Sequence, residues 1–151
     1  MAMFPNFMAR RPHVAEHDLA GVIVNANGTQ FAAGDHVFGL IPFEVTQKSG
    51  QGALAQYAIV PSTFLVPQPT NITSVEAAGL AVVGLTAYQG LRDAKLESGQ
   101  TIFINGGSSG VGAFAIQIAK AKGYRVVASA SSGNEALVRS LGADEVCSDS
   151  S

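Results

Sequence analysis

The stretch TIFINGGSSGVGAFAIQIAKAKGYRVVASAS, residues 101–131, constrains the fold of this chain more than any other. It reads in order as a buried strand, a glycine-rich turn, an amphipathic helix and a second buried strand. Thr101, Ile102, Phe103 and Ile104 make a short, β-rich apolar run of the kind found in a parallel strand covered on both faces. Gly106, Gly107, Gly110 and Gly112 then crowd a turn that also holds Ser108 and Ser109. Val111, Phe114, Ala115, Ile118 and Ala119 follow at helical spacing and mark one face. Gln117, Lys120 and Lys122 lie away from that face, and Gly123 stops the helix. Val126, Val127 and Ala128 supply the next strand. A tight turn between strand and helix leaves the first helical amides unpaired and pointing outward. Their partial positive charge makes a seat for a phosphate.

Aligned on its last glycine, the dinucleotide-binding fingerprint G-x-G-x-x-G falls on Gly107, Ser109 and Gly112, with a serine in the middle place and Gly110 beside it. The flanking strand and helix give the pattern its meaning, because the mechanism needs both. The alternative is a glycine-rich connection in an ordinary α/β fold that holds no ligand. No P-loop lysine accompanies the turn: Lys120 and Lys122 come too late after Gly112 and read as a solvated helix face. No Ser-His-Asp set or paired acid is apparent either.

The rest of the chain changes character near residue 70. Before it the sequence reads as all-β, with strands over residues 19–24 and 56–60 and no helical periodicity. Asn27-Gly28 and Gly34-Asp35 are turns, the second leading into His36, Val37, Phe38 and Gly39. Pro61, Pro67 and Pro69 mark an extended connector. From residue 71 the pattern is helical, with Ser74 as N-cap and Glu76 in the first turn. Ala77, Leu80, Val83 and Leu85 carry one helix or two to about Leu91. Gly79, Gly84 and Gly90 interrupt it and suit the close approach of another backbone, the glycine turn being a candidate. Residues 98–100 form a turn, residues 134–141 a short helix ended by Gly142, and residues 143–147 a third strand before the serine-rich end. The expected division is therefore residues 1–70 and residues 71–151.

Composition narrows the function classes. Of 151 residues, 47% are hydrophobic and 13% charged, which suits a globular α/β chain and excludes disorder. A net charge of -2 offers no general attraction to nucleic acid or to an anionic membrane, so neither is an expected partner. No apolar run is long enough to span a bilayer. The start, MAMFPNFMARRPH, lacks the apolar core of a secretory signal, and the expected setting is the cytoplasm or an organelle matrix. Cys147 is the single cysteine, which excludes a disulfide framework or a four-cysteine zinc site within the chain.

Six segments, taken together, resemble a medium-chain dehydrogenase/reductase of the quinone oxidoreductase-like (zeta-crystallin-like) branch. They are HDLAGVIV (17–24), GDHVFGL (34–40), GALAQYAIVP (52–61), EAAGLAVVGLTAYQGL (76–91), INGGSSGVGAFAIQIAKAKG (104–123) and LVRSLGADEV (137–146). The resemblance implies an α/β chain: a partial GroES-like β domain over 1–70, then the first half of a Rossmann domain over 71–151. It implies a reductase of quinones or enones, with hydride passing directly from NADPH or NADH and usually no metal. It matches Thr86 to the family's nicotinamide-side threonine, and Gly107, Ser108, Ser109, Gly110, Val111 and Gly112 to the pyrophosphate loop. Homodimers occur among full-length relatives, and the partner would be a small electrophile. Read without the resemblance, Thr86 is a helix-interior hydroxyl bonding a carbonyl one turn back. A methyltransferase-like use of the glycine turn is a distant third reading, since GroES-like sequence has no place before such a turn.

The end of the second strand bears on the cofactor. An acid about 20 residues past the first fingerprint glycine would bond the ribose hydroxyls of NADH and repel a 2′-phosphate. Residues 128–133, Ala-Ser-Ala-Ser-Ser-Gly, carry none, and Ser131 and Ser132 can donate to a 2′-phosphate. Gly133 stands where the family often has a lysine or arginine. NADPH is favoured, with NADH left open. Zinc is not expected: His17-Asp18 occupies the place of a zinc-enzyme His-Glu pair, but Val82 fills the position of a cysteine ligand. Relative to the family, the chain starts inside the β domain and stops at the third strand of the nucleotide fold. Sequence alone thus suggests marginal stability, weak dinucleotide binding and little turnover, with a non-catalytic fragment as the competing reading.

Overall fold

The structure, a computed structural model, describes residues 13–148. The arginine-bearing start and the final residues 149–151, discussed above as a beginning without a signal core and a serine-rich end, lie outside the described residues. The chain forms two compact units that divide between Val82 and Val83.

The first unit is built on an antiparallel sheet of β1 (Asp18–Val22), β2 (His36–Leu40) and β3 (Leu65–Pro67), in that order. Asp18 pairs with Leu40 and Val22 with His36, while Gly39 pairs with Leu65. The β1–β2 connection uses the expected turns, with Asn27, Gly28 and Gly34 all at positive φ. Gly39 is required by packing, since a β-carbon there would collide with the backbone carbonyl of Phe64. Val37, Ile41, Leu65, Ala77 and Ala81 are the buried apolar residues of this unit.

Several expectations for this half need correction. It is not all-β: α1 (Phe43–Ser49) follows Pro42 and ends at Gly50, whose left-handed backbone (φ 75°) returns its N–H to the Thr46 carbonyl. Seven residues are too few to show a helical period, so the helix is written in its ends: proline before, glycine after, Glu44 first and Lys48 last. The proline-marked connector contains a 3-10 turn (Ser62–Phe64) and the strand β3. Residues 56–60 form no strand. Among the described residues no backbone ladder reaches them; the Gln51 side-chain amide donates to the Ile59 carbonyl instead (2.7 Å). A strand is defined by its partner, which residue pattern alone does not supply. Tyr57 and Ile59 are exposed, and residues 55–62 face β1 across an open groove of about 780 Å³.

The helical segment is two helices, α2 (Ser74–Ala78) and α3 (Ala81–Asp93). The N-cap of α2 is Thr73 rather than Ser74. Thr73 Oγ1 accepts from the Glu76 N–H and the Glu76 carboxylate accepts from the Thr73 N–H, a reciprocal capping box that holds the Glu76 carboxyl below its usual value of 4.5. Gly84 and Gly90 have open space where a β-carbon would stand, so among the described residues no other backbone approaches α3 at either.

The second unit is parallel, β4 (Thr101–Ile104), β5 (Arg125–Ala130) and β6 (Glu145–Ser148) in sequential order. α4 (Gly110–Ala121) and α5 (Glu135–Ser140) are the crossovers. Sequential order with one hand of crossover places both helices on one face of the sheet. Ile104, Val126, Ala128 and Ala130 meet Ala115, Ile116, Ala119 and Val138 there, with Ala87 and Leu91 of α3 in the same cluster. β4 is accordingly not covered on both sides: Phe103 is 59% exposed. The buried side of α4 also differs from the expected stripe. It comprises Gly112, Ala115, Ile116 and Ala119, while Val111 is exposed and Phe114 and Ile118 are half-buried. Small residues at the centre let the helix lie close to the sheet, and the larger ones flank the contact.

Asp144 joins the last strand to α4. It accepts from Lys120 Nζ through both carboxylate oxygens (2.8 and 2.9 Å) and from the Val126 N–H (2.7 Å). The Lys120 bond first, then the Val126 amide, holds its carboxyl below the usual 3.8. A depressed folded pKa stabilises above the unfolded value and loses that contribution as pH falls through the folded one. Thermal unfolding of wild type and Asp144→Asn is therefore expected to show a lower Tm for the variant at neutral pH, the gap closing in acid below about pH 3.8.

Candidate nucleotide site

The glycine turn lies at the carboxyl end of β4, where open α/β sheets take their ligands. Each residue there has a distinct duty. Gly106 adopts φ 70°, a left-handed conformation that reverses the chain as it leaves the strand. Gly107 is buried, and a β-carbon on it would sit 3.1 Å from Ala128, Ile116 and Val138 side-chain atoms. Gly112 passes so close to the Gly106 carbonyl that any side chain would overlap it. Ser109 caps α4, its Oγ accepting from the Gly112 N–H (3.1 Å) and its carbonyl from Ala113 N–H (2.8 Å).

Counting amides shows what the turn presents. Gly106 N–H donates to Ser129 Oγ (2.9 Å), Gly107 N–H to the Ser129 carbonyl (2.7 Å) and Ser109 N–H to the Gly106 carbonyl (3.0 Å). Among the described residues the N–H groups of Ser108, Gly110 and Val111 have no acceptor. Gly110 and Val111 are exposed at the first turn of a 12-residue helix, and residues 105–113 carry no charged side chain. The positive field here comes from backbone dipoles alone.

Other predicted residues fall as follows. Ser131 and Ser132 are exposed just past the carboxyl end of β5, the strand beside β4. Ser131 Oγ accepts from Asn134 Nδ2 (3.1 Å). Thr86 is exposed on α3 one turn after Val83. Val83 Cγ1 stands 3.3 Å from where a Gly110 β-carbon would be, so the face of α3 that bears Thr86 is the face that meets the turn. Sequence reasoning missed Asn105 and Ser129. Their signal was polarity at strand positions, since Ser129 is only 2% exposed inside an apolar run.

In the first unit, His17 Nδ1–H donates to the Ile41 carbonyl (2.8 Å), and Asp18 Oδ1 accepts from the Val82 N–H (2.8 Å). These positions, compared above with a zinc centre, thus have structural partners. Among the described residues no three His, Cys, Asp or Glu side chains converge, and no helix is long and apolar enough to cross a membrane.

Known proteins carry the same two parts. Residues 2–70 match the alcohol dehydrogenase GroES-like domain. The quinone oxidoreductase of Coxiella burnetii superposes with a TM-score of 0.83 at 29% identity, over 91% of this chain and 43% of that one. The chain is similar to quinone oxidoreductases and enoyl reductases, and its structural neighbours are quinone oxidoreductases of the medium-chain dehydrogenase/reductase family. Its fold is a GroES-like domain followed by part of a Rossmann-like parallel sheet. Among curated relatives, 2-methylene-furan-3-one reductase of Solanum lycopersicum is 39% identical over 139 residues, 88% of this chain and 36% of that protein. The quinone oxidoreductase of Thermus thermophilus, solved also as its NADPH complex, is 32% identical with a TM-score of 0.72, over 87% of this chain and 39% of that one. The chain thus spans about 40% of the length of these relatives.

Replacing Gly112 by alanine is expected to push the turn off the Gly106 carbonyl and destabilise the second unit by about 1–3 kcal/mol. Chemical denaturation of Gly112→Ala beside wild type measures it.

Proposed function

We propose that the chain is an NAD(P)H-dependent oxidoreductase of the quinone or enone reductase type, with NADPH preferred, NADH still possible and no zinc. Residues 1–70 act as part of its GroES-like domain and residues 71–151 as part of its nucleotide domain. The observation that carries this reading is the set of free amides on Ser108, Gly110 and Val111 at the start of α4, beside a strand that ends in two serines. These residues fit a dinucleotide. Gly107 and Gly112 let the turn close down on the core and on the Gly106 carbonyl, and the free amides that follow suit a pyrophosphate.

In this reading Gly107, Ser108, Ser109, Gly110, Val111 and Gly112 hold the pyrophosphate. Ser131 and Ser132 donate to the adenosine 2′-phosphate, and Thr86 borders the nicotinamide. The cofactor would supply a hydride to an electrophilic double bond or carbonyl. The two serines come without a carboxylate before Glu135, which supports NADPH. Val82 stands where a zinc enzyme has a cysteine ligand, which supports a metal-free reaction. The cytoplasm remains the proposed location.

A second reading is a chain that binds dinucleotide without reducing an acceptor. The free amides of the glycine turn serve this reading equally, since binding needs the loop in both cases. Loss of NADPH absorbance with 1,2-naphthoquinone distinguishes the two: turnover supports the reductase, and NADPH binding without turnover supports the second. A chain that binds no nucleotide contradicts both. The cofactor preference has its own test. Ser131→Asp sets a carboxylate against the 2′-phosphate, and is expected to weaken NADPH binding about tenfold or more while leaving NADH unchanged or improved. Fluorescence titration with each nucleotide reads it.

A further inference from the structure

Ser129 is buried in β5, far in sequence from the turn, yet it makes three hydrogen bonds to it. Its Oγ donates to Asn105 Oδ1 (2.6 Å) and accepts from Gly106 N–H (2.9 Å), and its carbonyl accepts from Gly107 N–H (2.7 Å). The β4–β5 register pairs Ile104 with Ala128, so Asn105 and Ser129 face each other one step beyond the last ladder pair. A hydroxyl has one proton to give and lone pairs to receive, and here both capacities are used. Alanine could do neither, and the backbone carbonyl, which only accepts, could not replace the bond donated to Asn105.

We propose that Ser129 is a positioning residue for nucleotide binding. Its hydroxyl fixes the Asn105–Gly106 peptide, and so sets the direction in which the Ser108, Gly110 and Val111 amides point. Gly106 sits at φ 70°, and the close approach of Gly112 constrains its carbonyl side but leaves the peptide on its N–H side to be fixed. Ser129 fixes it. By consuming the Gly106 and Gly107 amides it commits the turn to receiving an anion through the three that follow. This rests on the dinucleotide reading of the same turn.

The test uses the whole chain and two ligands. NADPH bears the pyrophosphate, whereas adenosine 2′-monophosphate lacks it and reaches only the serine end of the site. Ser129→Ala is expected to bind NADPH about tenfold more weakly, the order set by one buried group losing its partner, with adenosine 2′-monophosphate affinity unchanged. Ser129→Thr keeps the hydroxyl and is expected to recover most of the NADPH affinity. Asn105→Ala, at an exposed position, is expected to weaken NADPH selectively too, and its effect should not add to that of Ser129→Ala. NADPH binding by Ser129→Ala and Asn105→Ala equal to wild type overturns the proposal, as does equal weakening of both ligands, which would mark a merely structural role. If Ser129→Ala does not fold, Asn105→Ala alone decides by the same comparison. Failure of wild type to bind NADPH overturns the dinucleotide reading itself, and with it this one.

Discussion

The contact between the Gly106 carbonyl and Gly112 fixes the second unit. Two backbones meet there with no room for a β-carbon, and α4 starts where that contact puts it. Much else is geometry that follows. The Ser109 hydroxyl reaches the Gly112 amide, and the helix presents Ala115, Ile116 and Ala119 to the sheet. Gly107 drops into the core against Ile116 and Val138, which ties the turn to α4 and α5 at once. The amides left over are those of Ser108, Gly110 and Val111. A site of this kind needs no charged side chain, since its field is that of aligned peptide groups.

The first unit rests on a different device. A three-stranded antiparallel ladder carries it, and short-range signals (Pro42 and Gly50 around α1, the Thr73–Glu76 box before α2) close its connections. Asp18 reaches from the first strand to the amide that opens α3. Leu54, Tyr57 and Ile59 are exposed, the last two on the segment that lines the unit's open groove. In the parallel sheet the same holds for the face that bears Phe103.

Where sequence and structure part, the cause is a partner far along the chain. Residues 56–60 have a strand's composition but no ladder, because nothing among the described residues lies beside them to complete one. The periodicity of α4 predicts a stripe of Val111, Phe114, Ala115, Ile118 and Ala119, whereas the buried side holds Ile116 and Gly112 with Ala115 and Ala119. Periodicity weighs residues by hydrophobicity, whereas the sheet selected small residues that permit a short helix-to-strand distance. Thr73 displaced Ser74 as cap because Glu76 sits three residues after it, a spacing visible in the sequence. Ser129 is one polar residue in an apolar strand. Its meaning depended on Asn105, which only the register brings opposite.

By itself the sequence determined the parallel β4–α4–β5–α5–β6 unit, the turn at Gly106–Gly112 and the turns at Asn27-Gly28 and Gly34-Asp35. In each case the instruction is local: glycines where no side chain fits, periodicity along one helix, turn residues between adjacent strands. The tertiary structure alone decided which amides of the turn are spent and which remain. It also decided that Thr86 shares a helix face with the residue touching Gly110, and that Ser129 holds the loop. Those outcomes are set by atoms twenty or more residues apart, whose distances a linear pattern does not contain.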